Sequence, residues 1–337
     1  MRIDLHCHST VSDGSCPPAE VMRRARAAGL DVVALTDHDT QAGHGQARQA
    51  LPDGLTLLPG MELSCQQDGH SVHLLAYLAD PGNEELAAEC ARIAGDRVRR
   101  AREMVARLQD LGAPVSWDQV AAIAGGGTVG RPHIARALAA AGVIGSPAEA
   151  FTSAWLAPGG RAYVSRYALP PARAIGLVRA AGGVAVLAHP GLAARGWLMP
   201  DETIAGLAAA GLAGLEVDHP DQDTRQRDRL RALAASLDLA ATGGSDDHGS
   251  LTGYRIGCET TAPAVYQELL ARAAAAPPGG PAEPGRPAPP GRPAPPGGPA
   301  PPGVPPRPGV PPRPGVPPRP GVPPRPGVPP RPGVPPR

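Results

Sequence analysis

Arg2-Ile3-Asp4-Leu5-His6-Cys7-His8 is the stretch on which the fold turns. Its alternation of apolar and polar residues predicts a β-strand over 2–8. A strand turns every second side chain to the same side, so the imidazoles of His6 and His8 share one face at its carboxyl end, where they can close on one ion. Further short apolar runs predict strands at 31–35, 57–63, 71–77, 183–187, 214–217 and 239–242, with a last one at 255–259. Segments of helical period fit between them at 18–28, 171–181, 201–210 and 222–236, the first three stopped by Gly29, Gly182 and Gly211. Strands alternating with helices are the pattern of a parallel α/β fold.

One interval breaks the rhythm. Residues 85–168 show no strand pattern: a long Ala/Arg/Glu-rich helix over 84–111 is followed by helices over 117–124 and 133–141, with Gly125-Gly126-Gly127 between them. This reads as a helical insertion, a lid over the barrel that can choose substrates.

Composition divides the chain a second time. Of its 45 prolines, 30 lie in residues 277–337, which end in six copies of Pro-Gly-Val-Pro-Pro-Arg. Glycine every sixth residue does not support a collagen helix, and the segment has no apolar face to bury, so it is expected to be disordered with polyproline II character. It reads as a spacer or as a ligand for a proline-recognising partner. Every basic residue is an arginine; residues 1–276 hold 24 of them against 30 acidic residues, a net −6, while the tail carries +7. An acidic body is a poor binder of duplex DNA, and any phosphate it handles needs a local device. No apolar run is long enough for a membrane span, and the amino terminus lacks a secretory pattern, so the expected location is cytoplasmic. Five cysteines without a CxxC pair indicate neither a disulfide framework nor a thiolate zinc site.

The remaining chemistry sits at the strand ends. Asp13 follows the first strand in Ser12-Asp13-Gly14; Asp37 and His38 end the second; Glu62 ends the third; His73 lies in the fourth; His189 ends the fifth; Asp246 and His248 follow the seventh. In barrels the strand ends converge on one mouth, where active sites form. Six histidines there, with the three carboxylates Asp13, Glu62 and Asp246, outnumber the ligands of one ion. A further histidine, His219, ends the sixth strand and is expected to touch substrate. His44 and His70 are expected in solvent-facing loops, and the Arg97, Arg99, Arg100, Arg102 run on a solvated helix face.

These stretches, together with Leu35-Thr36-Asp37-His38, Pro59-Gly60-Met61-Glu62, Ala188-His189-Pro190, Gly244-Ser245-Asp246-Asp247-His248-Gly249 and Gly130-Arg131-Pro132-His133-Ile134-Ala135, resemble the polymerase and histidinol phosphatase (PHP) domain. Within it, the chain looks most similar to the branch acting on nucleoside 3′,5′-bisphosphates and on 5′ ends of short RNA. The resemblance implies a distorted (β/α)7 barrel with three divalent ions, manganese favoured and iron or zinc also compatible with nitrogen and oxygen donors. It assigns His6, His8, Glu62 and Asp246 to one ion, Glu62, His73 and His189 to a second, and Asp13, His38 and His248 to a third. It implies attack on phosphorus by a metal-bridging hydroxide, substrate phosphate contacts from Arg131 and His133, protonation of the leaving group by His133, and orientation of a metal-bound histidine by Asp37. A phosphatase for histidinol phosphate or another small metabolite is the second reading; a non-catalytic PHP module and a proline-tail scaffold are the readings from other classes.

Overall fold

The computed structural model describes residues 1–193 and 197–275; the proline-rich tail lies outside the described residues. Seven strands form one sheet in chain order: β1 (Ile3–Cys7), β2 (Val32–Leu35), β3 (Thr56–Gln67), β4 (His70–Tyr77), β5 (Val184–Leu187), β6 (Gly214–Asp218) and β7 (Ala240–Gly243). The sheet curls into a nearly closed barrel. Closure is made just past β7, where Asp246 N donates to His6 O at 2.8 Å and His8 N to Asp247 O at 2.9 Å. The bonds that close the barrel therefore carry Asp246 to the histidines of β1.

The helices are α1 (Pro18–Ala27), α2 (His44–Gln49), α3 (Glu84–Asp110), α4 (Trp117–Ala124), α5 (Arg131–Ala140), α6 (Pro171–Ala180), α7 (Asp201–Ala209), α8 (Thr224–Ser236) and α9 (Pro263–Ala275). The strands β2 and β5 are buried at every position, as their unbroken apolar runs require for strands covered on both faces. Inside the barrel, Ile3, Leu5, Val32, Leu75, Tyr77 and Val186 join one cluster, which Tyr266 and Leu269 of α9 complete. The helices α3 to α5 carry a core of their own, built on Met104, Leu108, Val120, Ile134 and Leu138. Between β4 and β5 the described residues contain helices and turns but no named strand.

The barrel departs from the expected parallel pattern at β4, which pairs antiparallel with both β3 and β5. The cause is local. Asp68 (φ 50°) and Gly69 (φ 80°) both occupy the left-handed region, so a two-residue hairpin joins β3 to β4. Asp-Gly is a favoured pair for that turn because its twist matches the strands. As a result β3 runs to Gln67, and Glu62 lies mid-strand instead of at an end.

The strand expected at 255–259 is absent; that segment is turn and bend. Carboxylates take its backbone donors: Arg255 N bonds Asp247 Oδ1 and Gly257 N bonds Asp4 Oδ2, each at 2.8 Å. His44 is not solvent-facing. It opens α2, is buried, and its Nε2 lies 3.0 Å from Leu35 O. His70 begins β4 and stacks on Trp197.

Candidate active site

At the barrel mouth, imidazole and carboxylate groups from six strands and their exits face one another. His6 Nε2 and His8 Nε2 are 3.1 Å apart. Both face Glu62 Oε2, at 3.4 and 3.1 Å, and Asp246 Oδ1, each at 3.3 Å. The other Glu62 oxygen meets His73 Nδ1 at 2.7 Å and His189 Nε2 at 3.2 Å. His38 bridges to the far side, its Nδ1 3.2 Å from Glu62 and its Nε2 3.6 Å from Asp13; His248 Nε2 is 3.3 Å from Asp13.

Among the described residues three groups have donor atoms all within 4.8 Å of one another: His6, His8, Glu62 and Asp246; His8, Asp13, His38 and His248; and His38, Glu62 and His73. The first is the set expected for one ion, and the second is the Asp13 set joined by His8. In the third, His38 accompanies Glu62 and His73, while His189 lies against the same Glu62 oxygen. Cys7, between the two β1 histidines, turns its Sγ away to Ala34 O, as strand alternation dictates.

The donor chemistry fits divalent cations. Two imidazole nitrogens at 3.1 Å need a proton or a cation between them, and the buried His38 Nδ1, though 3.2 Å from Glu62 Oε2, makes no hydrogen bond among the described residues. Burial works against ionisation of Glu62, yet His73, His38 and His6 outweigh it and hold the carboxyl well below the usual carboxylate range. Asp246, beside His6 and His248, and Asp13, beside His38 and His248, are lowered in the same way against burial. Burial also opposes charge on His8, but hydrogen bonds to Asp246 and Glu62 lift it to about 10; His38, dominated by burial, falls to about 4. The cluster thus combines ionised carboxylates with nitrogens able to serve as ligands once deprotonated.

A surrounding layer orients these groups. Glu216, buried in β6, faces His6 Nδ1 with one oxygen at 2.9 Å and accepts the His189 backbone N–H with the other at 2.8 Å. Glu216 lies outside the candidate site residues read from the strand ends, although a lone carboxylate inside the apolar run Gly214-Leu215-Glu216-Val217 is its signal. His219 is fully buried; its Nδ1 accepts from Asp221 N at 3.1 Å, and its Nε2 lies 3.3 Å from Asp246 Oδ2. With both nitrogens engaged it braces Asp246. Asp37 does not reach a histidine directly: its oxygens accept from Ser9 N, Ser9 Oγ and Ser12 Oγ at 2.7–2.8 Å, fixing the loop that carries Asp13. His189 (φ 31°) and Asp246 (φ 48°) occupy the left-handed region, a backbone strain that surrounding structure must hold in place.

Beside the cluster opens a cavity of about 400 Å³. Asp13, His38 and His73 are on its wall, and Arg97, Arg100, Arg131 and Arg166 are among the other lining residues. Arg97 pairs with Asp39 at 2.7 Å. Burial, with Arg131 and Arg166 nearby, pushes Arg100 down to about 9; burial and Arg97 push Arg166 to about 10. The arginine run on α3 is therefore divided, not a uniform solvated face: Arg97 and Arg100, three residues apart, face the cavity, while Arg99 and Arg102 are exposed. Arg131 reaches Leu156 O at 3.4 Å. His133 is buried, and its Nδ1 accepts from Gly130 N at 3.0 Å; burial lowers its pKa.

All five cysteines are free thiols, and no helix among the described residues is long and apolar enough to cross a membrane. The PHP domain family matches residues 4–111. A 5′-3′ exoribonuclease of Haemophilus influenzae is 35% identical over 248 residues, 73% of this chain and 90% of the relative. A 3′,5′-nucleoside bisphosphate phosphatase of Chromobacterium violaceum is 34% identical over 256 residues, 75% of this chain and 90% of the relative. A crystal structure from Bifidobacterium adolescentis, assigned as a metal-dependent phosphoesterase, is 40% identical with a TM-score of 0.76, covering 80% of this chain and 96% of the other. With that likeness spanning the barrel and the cluster at its mouth, the chain belongs to the PHP-domain family of metal-dependent phosphoesterases.

Proposed function

We propose that this phosphoesterase hydrolyses phosphate monoesters of nucleotides, namely nucleoside 3′,5′-bisphosphates and 5′-mononucleotides, and trims the 5′ ends of short RNA in the cytoplasm. The observation that carries the reading is the arginine-lined cavity opening on the donor cluster. A simple phosphate ester has one anionic group, which belongs at the cluster. Arg97, Arg100, Arg131 and Arg166 together make the wall of that cavity cationic, which suits a second anion, and a 3′,5′-bisphosphate or an RNA 5′ end supplies one. The relatives with those activities support the same choice.

Three ions, manganese favoured, are proposed for His6, His8, Glu62 and Asp246; for Glu62 and His73 with His38 and His189; and for Asp13, His38 and His248 with His8. Divalent ions there lower the pKa of water and neutralise phosphoryl oxygens. The protein's own part is positioning. Arg131, Arg100 and Arg166 hold the non-reacting phosphate, and the Ser9–Ser12–Asp37 network fixes the loop of Asp13. His133, with Nδ1 accepting from Gly130 N–H, keeps its proton on Nε2, where it can donate a hydrogen bond to the leaving oxygen as the P–O bond breaks, the alkoxide taking its proton from water.

The test is inorganic phosphate release with Mn2+ from adenosine 3′,5′-bisphosphate, 5′-AMP, histidinol phosphate and a 5′-phosphorylated RNA trimer. The bisphosphate is expected to show the highest kcat/KM and Arg131→Ala to raise its KM; histidinol phosphate ranking first would overturn the reading.

A further inference from the structure

A second cavity, of about 280 Å³, also adjoins the donor cluster. It shares Ser71 and His73 with the arginine-lined cavity, and His189 also lies on its wall. Its character is opposite: the lining is mostly apolar, with Val72, Leu187, Leu192, Trp197 and Met199 its larger members, and among the described residues no arginine contributes. Its volume is near the ~300 Å³ lower end for small-molecule sites.

The two cavities meet at a flat aromatic partition. The His70 and Trp197 rings are parallel within 5°, with centroids 4.3 Å apart. His70 lines the arginine side and Trp197 the apolar side. Around the donor cluster the protein thus presents an anion-binding chamber and, across a stacked pair, an apolar chamber with an indole in its wall. A small phosphate ester without a ring has no group for the second chamber. A nucleotide has one, because every base offers a π-face and an apolar body that stacking on an aromatic side chain desolvates.

We propose that the apolar cavity is the nucleobase subsite, with Trp197 as its stacking wall and His70 as the backing that holds the indole flat. The inference deepens the nucleotide reading above and rests on it. It makes Trp197 a specificity-determining residue that acts on binding and leaves the chemical step alone. Because stacking reads no hydrogen-bond pattern, the subsite favours larger rings over smaller ones and tolerates any base.

The test compares adenosine 3′,5′-bisphosphate with its baseless analogue, 1-deoxyribose 3,5-bisphosphate, on the Mn2+-loaded protein. Trp197→Leu is expected to raise KM for the nucleotide roughly tenfold at little-changed kcat, to leave KM for the baseless analogue within about twofold, and Trp197→Phe to restore most of the loss. A second readout needs no turnover. In a Trp117→Phe, Trp155→Phe background, in which Trp197 is the remaining indole, 5′-AMP should quench its emission while ribose 5-phosphate should not. Equal effects of Trp197→Leu on both substrates, or no effect on either, would overturn the base subsite while leaving nucleotide hydrolysis standing. Quenching by 5′-AMP without hydrolysis of any nucleotide would uphold the subsite and overturn the proposed activity. Absence of quenching, with unchanged kinetics in Trp197→Leu, would sink the subsite.

Discussion

Replacing Glu216 with Gln changes almost no volume, yet it should weaken metal binding sharply. Both oxygens of Glu216 are committed, one to His6 Nδ1 at 2.9 Å and one to the His189 backbone N–H at 2.8 Å. For His6 Nε2 to face a cation, Nδ1 must carry the proton and donate to Glu216. A Gln amide can accept on one side only. If its NH2 faces His6, the imidazole must change tautomer and present N–H to the cluster; if it faces His189, two buried donors meet without an acceptor. An unsatisfied buried donor costs about 1–3 kcal/mol, and outer partners of metal-ligating histidines typically change affinity by about 10- to 100-fold. Titration of Mn2+ into metal-free Glu216→Gln by calorimetry should show weakening in that range, with a matching rightward shift in the Mn2+ dependence of phosphate release. An affinity within twofold of the parent would refute the claim that Glu216 sets the tautomer of His6.

Further outcomes follow from the same geometry. His8→Ala and Asp246→Ala should each abolish turnover while circular dichroism and the thermal transition stay close to the parent. Gly244→Ala brings a Cβ to 2.5 Å from His6 Cβ and 2.9 Å from a Glu216 oxygen, overpacking that should cost about 1–3 kcal/mol and lower Tm by several degrees in a thermal melt. In the metal-free protein His8 is raised from 6.5 to about 10, so it is protonated at pH 7 and a cation must displace that proton. Metal affinity should therefore fall as pH is lowered, by about tenfold per unit for each proton displaced, measurable by calorimetry in buffers of different ionisation enthalpy. The sign for the metal-free fold is the reverse: the protonated His8 contributes its full stabilisation below pH 6.5 and loses it as pH rises through about 10, which a pH series of melts reports.

The sequence made the barrel legible where one residue pattern had one physical meaning. Val32-Val33-Ala34-Leu35 and Val184-Ala185-Val186-Leu187 are short, β-branched and apolar, and strands buried on both faces formed there. The alternation of His6, Cys7 and His8 was enough to put both imidazoles on one face and the thiol on the other. Direction was harder to read, because it hangs on the two turn residues Asp68 and Gly69, whose left-handed conformations reverse the chain. The strand expected at 255–259 failed because its backbone donors are taken by Asp4 and Asp247, partners remote or side-chain-borne, which no local propensity reports. Glu216, the placement of His219 under Asp246, and the turning of Arg97 and Arg100 toward a shared cavity depend on packing between distant segments. A carboxylate inside an apolar strand was visible in the chain, but its partner became visible only when β1 and β6 were in place.

The measurement that bears most directly on the central claim is metal content: elemental analysis of folded protein after removal of metal and reconstitution with Mn2+. The account predicts about three tightly held equivalents per chain, matching the three donor groups, with loss of metal in His8→Ala and Asp246→Ala. Folded, reconstituted protein holding well under one equivalent would contradict it.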